Sequence, residues 1–277
     1  MLGWLIKAAV ILLLCVAIFG GAGWFAYDLF VRPYQPLPEE KNTPPGPPPD
    51  PSLPALEKAL ALVRDGKALE ARSALYAFLQ NYPFSTRLAD ARAALGEINV
   101  DLFFHPERSP EQIRYEVVRG DSLIRIERKL AVSHELLMRF NPIADPRRLQ
   151  IGQVLYFSPA EFTLIINRKE KSLTLYNRHR FFKEYRPVGW DPAPPKPGDA
   201  PVEATVRHKV AWHEGGRVSF GSPDYPASHK WVELSARHYT LYAAEGPKPP
   251  GGGLAFPREA MEELSTLLSK NVPVSIQ

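Results

Sequence analysis

A chain that makes or breaks acyl bonds needs a nucleophile, a base within hydrogen-bond reach and donors for the oxyanion. This sequence offers few candidates: one cysteine, Cys15, and seven histidines. Cys15 lies inside an uncharged apolar run at the amino terminus, far upstream of any histidine. A single cysteine excludes an intrachain disulfide, a CxxC metal site and a dithiol redox pair. His208, His213, His229 and His238 could suggest a metal centre, but no acidic or second paired ligand follows at usable spacing, so they read as surface or packing residues. Ser235 and Ser265 would each need a base that nothing in the spacing supplies. Gly251-Gly252-Gly253 lacks the Lys-Ser/Thr of a phosphate loop and reads as a flexible loop. The residues alone therefore give no catalytic set, no metal site and no cofactor.

The elements that surround these residues change character along the chain. There are 277 residues with 29 prolines and a formal net charge of +4. The charge is spread along the chain, which gives no footprint for nucleic acid. Hydrophobic residues make up 45%, enough for folded cores. Residues 8–27 carry no charge, the length a membrane-spanning helix needs, with Trp4 and Trp24 at its two ends. Residues 1–30 read as a single-pass inner-membrane anchor with the soluble part in the periplasm. A cleaved signal peptide, with Gly20 and Ala22 as a small-x-small site, stays open as an alternative, and so does a lipid-modified Cys15. Residues 31–54 are a proline-rich linker, with ten prolines between Pro33 and Pro54. Fully extended at ~3.1 Å per residue it would reach about 65–70 Å. Residues 55–104 show apolar spacing for three helices, broken at Gly66 and at Tyr82-Pro83. This is a TPR-like helical hairpin and a half, a packing module or a protein-docking surface.

Residues 113–159 follow a strand–helix–helix–strand order. Tyr115, Val117 and Val118 begin a strand, Gly120-Asp121-Ser122 is a turn with a helix cap, and Leu123, Ile126 and Leu130 form a helix face. Ser133 caps a second helix that ends at Asn141-Pro142, and Gly152 turns into a strand at Val154–Phe157. The segment resembles the LysM family at Tyr115, Val117, Gly120, Asp121, Ser122, Leu123, Ile126, Leu137, Asn141, Leu149, Gly152, Gln153 and Leu155, with Glu127 and Ser158 as departures. The resemblance implies binding of N-acetylglucosamine glycan in peptidoglycan or chitin. It places the sugar between Gly120, Asp121, Ser122 and Leu123 on one side and Asn141, Ile143, Arg147 and Leu149 on the other. Each of these residues also has a folding role that could account for it.

Residues 161–277 are mostly β, with alternating strands at 162–167, 172–176 and 181–185, further strands at 204–210 and 230–234, a helix over 257–268 and a last strand at 272–276. The segment resembles the L,D-transpeptidase (YkuD-type) domain in Ser172-Leu173-Thr174-Leu175-Tyr176, Val188-Gly189, Ala200-Pro201, Trp231-Val232-Glu233-Leu234 and Val274-Ser275-Ile276. The departures fall on the chemistry that the resemblance implies. The expected nucleophile position, near Gly253, reads Gly251-Gly252-Gly253-Leu254, and the expected His-Gly turn reads Leu241-Tyr242-Ala243-Ala244. Neither holds a cysteine or histidine. The resemblance thus implies a multi-domain peptidoglycan-binding protein whose transpeptidase-like domain is a pseudoenzyme, with glycan, stem peptide and protein partners of the helical module as binding partners. An active transpeptidase or cell-wall enzyme with another nucleophile, and a cell-envelope scaffold, are the alternatives.

Overall fold

The computed structural model describes residues 2–31, 50–105, 111–130, 132–141, 143, 149–192, 200–219 and 222–277. Most of the proline-rich segment and Arg147 lie outside them. The chain divides into two units, 1–49 and 50–277.

The first unit is one helix, α1 (Leu2–Ala26), continued by a π-turn over Tyr27–Val31. Its 25 residues span about 37 Å at ~1.5 Å per residue, against a bilayer core of ~30 Å. Residues Gly3–Phe30 are long and apolar enough to cross a membrane. Cys15 lies on this helix, exposed and free.

The second unit begins with three helices, α2 (Leu53–Arg64), α3 (Ala68–Asn81) and α4 (Leu88–Phe104). Pro54, read above as the last linker residue, lies in the first turn of α2, where a missing N–H costs nothing. Gly66 adopts φ +72°, and Lys67 N–H reaches back to the Leu62 carbonyl, so the left-handed residue closes α2. Leu56, Leu75, Phe78, Ala91 and Leu95 form the core between the helices.

Next comes a small module of β1 (Ile113–Glu116), α5 (Leu123–Leu130), α6 (His134–Phe140) and β2 (Val154–Phe157). The two strands pair antiparallel, with Tyr115 opposite Leu155. Val118, expected in the first strand, instead lies in the turn after it.

The remainder is a ten-stranded sheet with one helix. Its strands are β3 (Phe162–Asn167), β4 (Ser172–Asn177), β5 (Arg180–Tyr185), β6 (Gly189–Trp190), β7 (Val202–His213), β8 (Gly216–Val218), β9 (His229–Leu234), β10 (Thr240–Ala243), β11 (Gly253–Phe256) and β12 (Pro273–Ile276), with α7 (Arg258–Leu267) before the last. The order is β5-β4-β3-β12-β7-β9-β10-β11-β6, and β8 folds back on β7. The carboxy-terminal strand β12 lies inside the sheet, parallel to β3 and antiparallel to β7.

Leu241-Tyr242-Ala243 is a strand, not a turn, and the glycine-rich segment delivers Gly253 into strand β11 rather than a loop. β10 and β11 run parallel and are buried on both faces, so they lack the alternation that marks a half-exposed strand.

One core runs through all three parts of the second unit. Phe103, from α4, stands at its junction. Its ring lies 5.2–5.5 Å from those of Phe104, Phe140, Phe162 and Phe182, all edge-on. The helices also cover the edge strand β5. Asn99 Nδ2 donates to the Phe182 carbonyl (2.8 Å), and the Tyr76 hydroxyl to that of Phe181 (2.7 Å). An uncovered edge is a template for aggregation, so α3 and α4 have a packing role there.

Candidate functional site

The βααβ module brings two loops together through its backbone. Val117 N–H donates to the Gln153 carbonyl (2.9 Å), and Gly152 N–H to the Val117 carbonyl (2.8 Å). The turn 118–122 and the turn 150–153 therefore sit side by side. Each turns on a glycine with positive φ, Gly120 at +90° and Gly152 at +82°. That region suits glycine because a Cβ would clash there.

Within the first loop, the Asp121 carboxylate accepts from the Tyr115 hydroxyl (2.6 Å) and from Val118 N–H (3.0 Å). Lys129 donates to the same hydroxyl (2.7 Å) and stands 3.6 Å from Asp121. The Tyr115 hydroxyl, then the Val118 amide and Lys129, hold the Asp121 carboxyl below its ordinary value. A depressed carboxylate stabilises the fold above its unfolded pKa, and that support is lost as pH falls through the lowered value. Asp121 thus organises the loop with its own charge. Ser122 Oγ accepts from Arg125 N–H (3.4 Å) at the head of α5, Gly120 is exposed, and Leu123 is buried in the core.

On the other side, Asn141 closes α6 and is buried. Its Nδ2 donates to the carbonyls of Leu137 and Tyr156, both at 2.8 Å, and its Oδ1 accepts from Tyr156 N–H at 2.8 Å. Both amide protons are used, so Asn141 holds α6 to β2 in the manner of an extra strand residue. Asn141→Ala is expected to strand these buried backbone groups, at ~1–3 kcal/mol for each unsatisfied group. The Leu137 carbonyl keeps its bond from Asn141 N–H, so the two Tyr156 groups are the ones stranded. The expected sum is a loss of about 2–6 kcal/mol, with Tyr156 N–H losing protection in hydrogen exchange. Ile143 and Leu149 are half-buried against the main core.

The residues left facing outward around these loops were not singled out from the sequence. Val118 is 49% exposed, Ile124 58% and Ile151 71%. An isoleucine immediately before a turn glycine, as Ile151 before Gly152, was the available signal: a turn residue has no folding reason to be apolar. The loops thus offer exposed apolar side chains, which suits the apolar face of an amino sugar.

The second candidate region lies where β6, β10 and β11 meet. Gly253 is the register partner of Thr240. A Cβ at Gly253 would lie 1.9 Å from the Thr240 carbonyl oxygen, so no side chain fits there. A Cβ at Gly252, where φ is +70°, would lie 2.8 Å from Asp191 Oδ2. Leu254 is fully buried, and only Gly251 has open space. Asp191 secures this corner: Oδ2 accepts from Gly253 N–H (2.9 Å) and Oδ1 from Lys248 (2.9 Å). The Lys248 ammonium, then the Gly253 amide, lower its carboxyl pKa. Tyr242 and Ala243 face opposite sides of the sheet. Ala243 joins the main core, and Tyr242 packs with Trp231, Trp212 and Ala255 on the other face. Burial, followed by the charge of Asp191, raises the Tyr242 hydroxyl.

The structure also brings His238 to the glycine run. Its Nδ1 donates to the Gly251 carbonyl (2.8 Å), which leaves Nε2 as the basic nitrogen. A base is therefore present beside a glycine run in which position 253 leaves no room for a thiol. Sequence spacing hid this, because thirteen residues separate the two.

A fused Zn-dependent amidase/peptidase/peptidoglycan-binding protein from Clostridium acetobutylicum aligns at 11% identity and a TM-score of 0.29, over 42% of this chain and 52% of that one. The chain thus spans about half the length of that protein. An L,D-transpeptidase from Mycobacterium smegmatis aligns at 10% identity and a TM-score of 0.30, over 47% of this chain and 76% of that one. An L,D-transpeptidase (Yku) from Stackebrandtia nassauensis aligns at 10% identity and a TM-score of 0.27, over 74% and 76%. Alignments at this level carry no argument about activity. No curated protein matches the chain. The LysM domain family model matches residues 115–158, the same βααβ module whose loops are described above.

Proposed function

We propose that this chain is a membrane-anchored, periplasmic peptidoglycan-binding protein that grips the cell wall without turning it over. Residues 115–158 bind N-acetylglucosamine-containing glycan between the loops 118–123 and 149–153. Val118, Ile124 and Ile151 lie under the sugar face, with Gly120, Ser122, Ile143 and Leu149 around it. Asp121, Leu123 and Asn141 keep the loops in place. The domain boundaries follow the sequence except at the start of α2: an anchor at 1–30, a spacer at 31–52, helices at 53–104, the LysM module at 113–159 and a transpeptidase-like scaffold at 161–277. The single observation that carries the reading is the LysM match over a module whose two loops are bonded side by side.

The absence of turnover is inferred from the chain's own residues. Its one thiol is in α1, and the backbone at Gly253 leaves no room for another. One module binds weakly, and anchoring to a polymer while tethered to a membrane raises the effective affinity.

The test is sedimentation of the full chain, in detergent, with purified sacculi. The chain is expected in the pellet, released by N-acetylglucosamine oligomers, with Ile124→Glu plus Ile151→Glu weakening retention at least tenfold. A chain left entirely in the supernatant overturns the reading.

A further inference from the structure

A cavity of about 400 Å³ opens between α5, α6, β7, β9 and the end of α7. That is within the range that accepts a small organic ligand, and none of its wall residues belongs to the sugar-facing loops. Its wall carries four fixed cations, Arg207, Lys209, Lys230 and Lys270, against two carboxylates, Glu127 and Glu135, together with His134 and His208.

A fold detail puts the charge inside. The register of β7 against β9 slips between Val206 and His208, and this bulge reverses which side chains face α7. Lys209 therefore turns inward, where it donates to the Ser265 carbonyl (2.9 Å) and pairs with Glu135. The other Glu135 oxygen accepts from the Tyr225 hydroxyl (2.6 Å), and Glu127 is held by His134 (2.6 Å). Both carboxylates of the cavity are thus engaged by its own wall. Lys230 is 6% exposed and donates to the carbonyls of Tyr225 (2.7 Å) and Ser228 (3.0 Å) and to Ser228 Oγ (2.7 Å). Its carboxylate neighbour, Glu262 on α7, stands at 3.8 Å. Burial pulls Lys209 down to about 8 and lowers Lys230 as well. Arg207 and Lys270 are exposed at the mouth, with no carboxylate partner among the described residues.

We propose that this cavity binds a small organic dianion, a phosphomonoester or a dicarboxylate. Arg207 and Lys270, the two wall cations with no carboxylate partner among the described residues, match a ligand of about two negative charges, which a phosphomonoester carries at neutral pH. Arg207 presents the planar fork that suits an oxyanion, and Lys270 adds a point charge beside it. The hydroxyls of Ser219 and Ser269, also in the wall, suit the polar remainder of such a ligand. The proposal does not depend on glycan binding.

The experiment is titration calorimetry on the full chain in detergent, at fixed ionic strength, with inorganic phosphate, glucose 6-phosphate, succinate and acetate. At least one dianion is expected to bind, and acetate at least tenfold more weakly. Glucose 6-phosphate against succinate separates the two ligand classes, and inorganic phosphate separates a bare ion from an organic one. Arg207→Gln with Lys270→Gln is expected to weaken binding at least tenfold. Lys58→Gln with Arg64→Gln, the same charge change on exposed α2 positions, is expected to leave it unchanged. Lys209 is left intact because its loss would bury Glu135 unpaired. Silence with all three dianions, equal binding of acetate, or equal weakening by both double variants overturns the proposal.

Discussion

Phe103→Ala is expected to cost about 3–5 kcal/mol, the range for emptying a buried phenylalanine site. The upper part of that range applies here for a geometric reason. Phe103 is 5% exposed and stands edge-on to four rings at once. Such pairs contribute ~0.5–1.5 kcal/mol each beyond the area they bury. The neighbours cannot collapse together into the space, because they come from α4, α6, β3 and β5, which are fixed by separate hydrogen bonds. For a unit of this size the loss corresponds to a melting temperature lower by about 6–20 °C. Hydrogen exchange should show α4, α6 and β5 losing protection together. Phe104→Ala, at a half-buried position, is the internal comparison and should cost less. A drop below about 1 kcal/mol for Phe103→Ala would mean that the three parts are not held by a common core.

The second large effect concerns chemistry. Gly253→Cys, in a Cys15→Ala background, returns a thiol to the position where the transpeptidase resemblance expects one. Catalysis is not the expected outcome. The new Cβ would collide with the Thr240 carbonyl, a backbone atom in the adjacent strand, so β10 and β11 must separate. Overpacking of this kind costs typically ~1–3 kcal/mol, and a backbone clash this close belongs at or above the top of that range. A shift of β11 away from β10 would also strain the bonds that join Asp191 to Gly253 on its other edge. The variant should melt well below the parent, and no acyl adduct should appear by mass after incubation with tetrapeptide muropeptides. A stable variant that acylates would mean that the corner is a vacated active site needing only its thiol.

What could be read from the sequence was what is encoded locally. The apolar run of α1 depends only on length and composition. The βααβ module announces itself through Gly120, Ser133, Asn141 and Gly152, each of which fixes its own turn or cap. The strand hairpins β3–β4–β5 follow from alternation and the turns between them. What could not be read depends on neighbours distant in sequence. β10 and β11 are short, parallel and buried on both faces, so a glycine run there looks like a loop until Thr240 is seen against Gly253. A bulge in β7 decides that Lys209 rather than His208 faces inward, and no residue pattern marks it. The LysM resemblance places Asp121 and Asn141 beside the sugar, and each also has a folding role. Their side chains are occupied by Tyr115, Val118 and the Tyr156 backbone, which only the closed module brings near.

Grip without turnover is tested most directly on the sacculus pellet itself. The full chain is sedimented with tetrapeptide-rich sacculi, held there for hours, and the wall and supernatant are then analysed by mass spectrometry. The account expects the protein in the pellet, muropeptides of unchanged mass and no free D-alanine. New cross-links or released D-alanine, absent from a His238→Ala control, would contradict it.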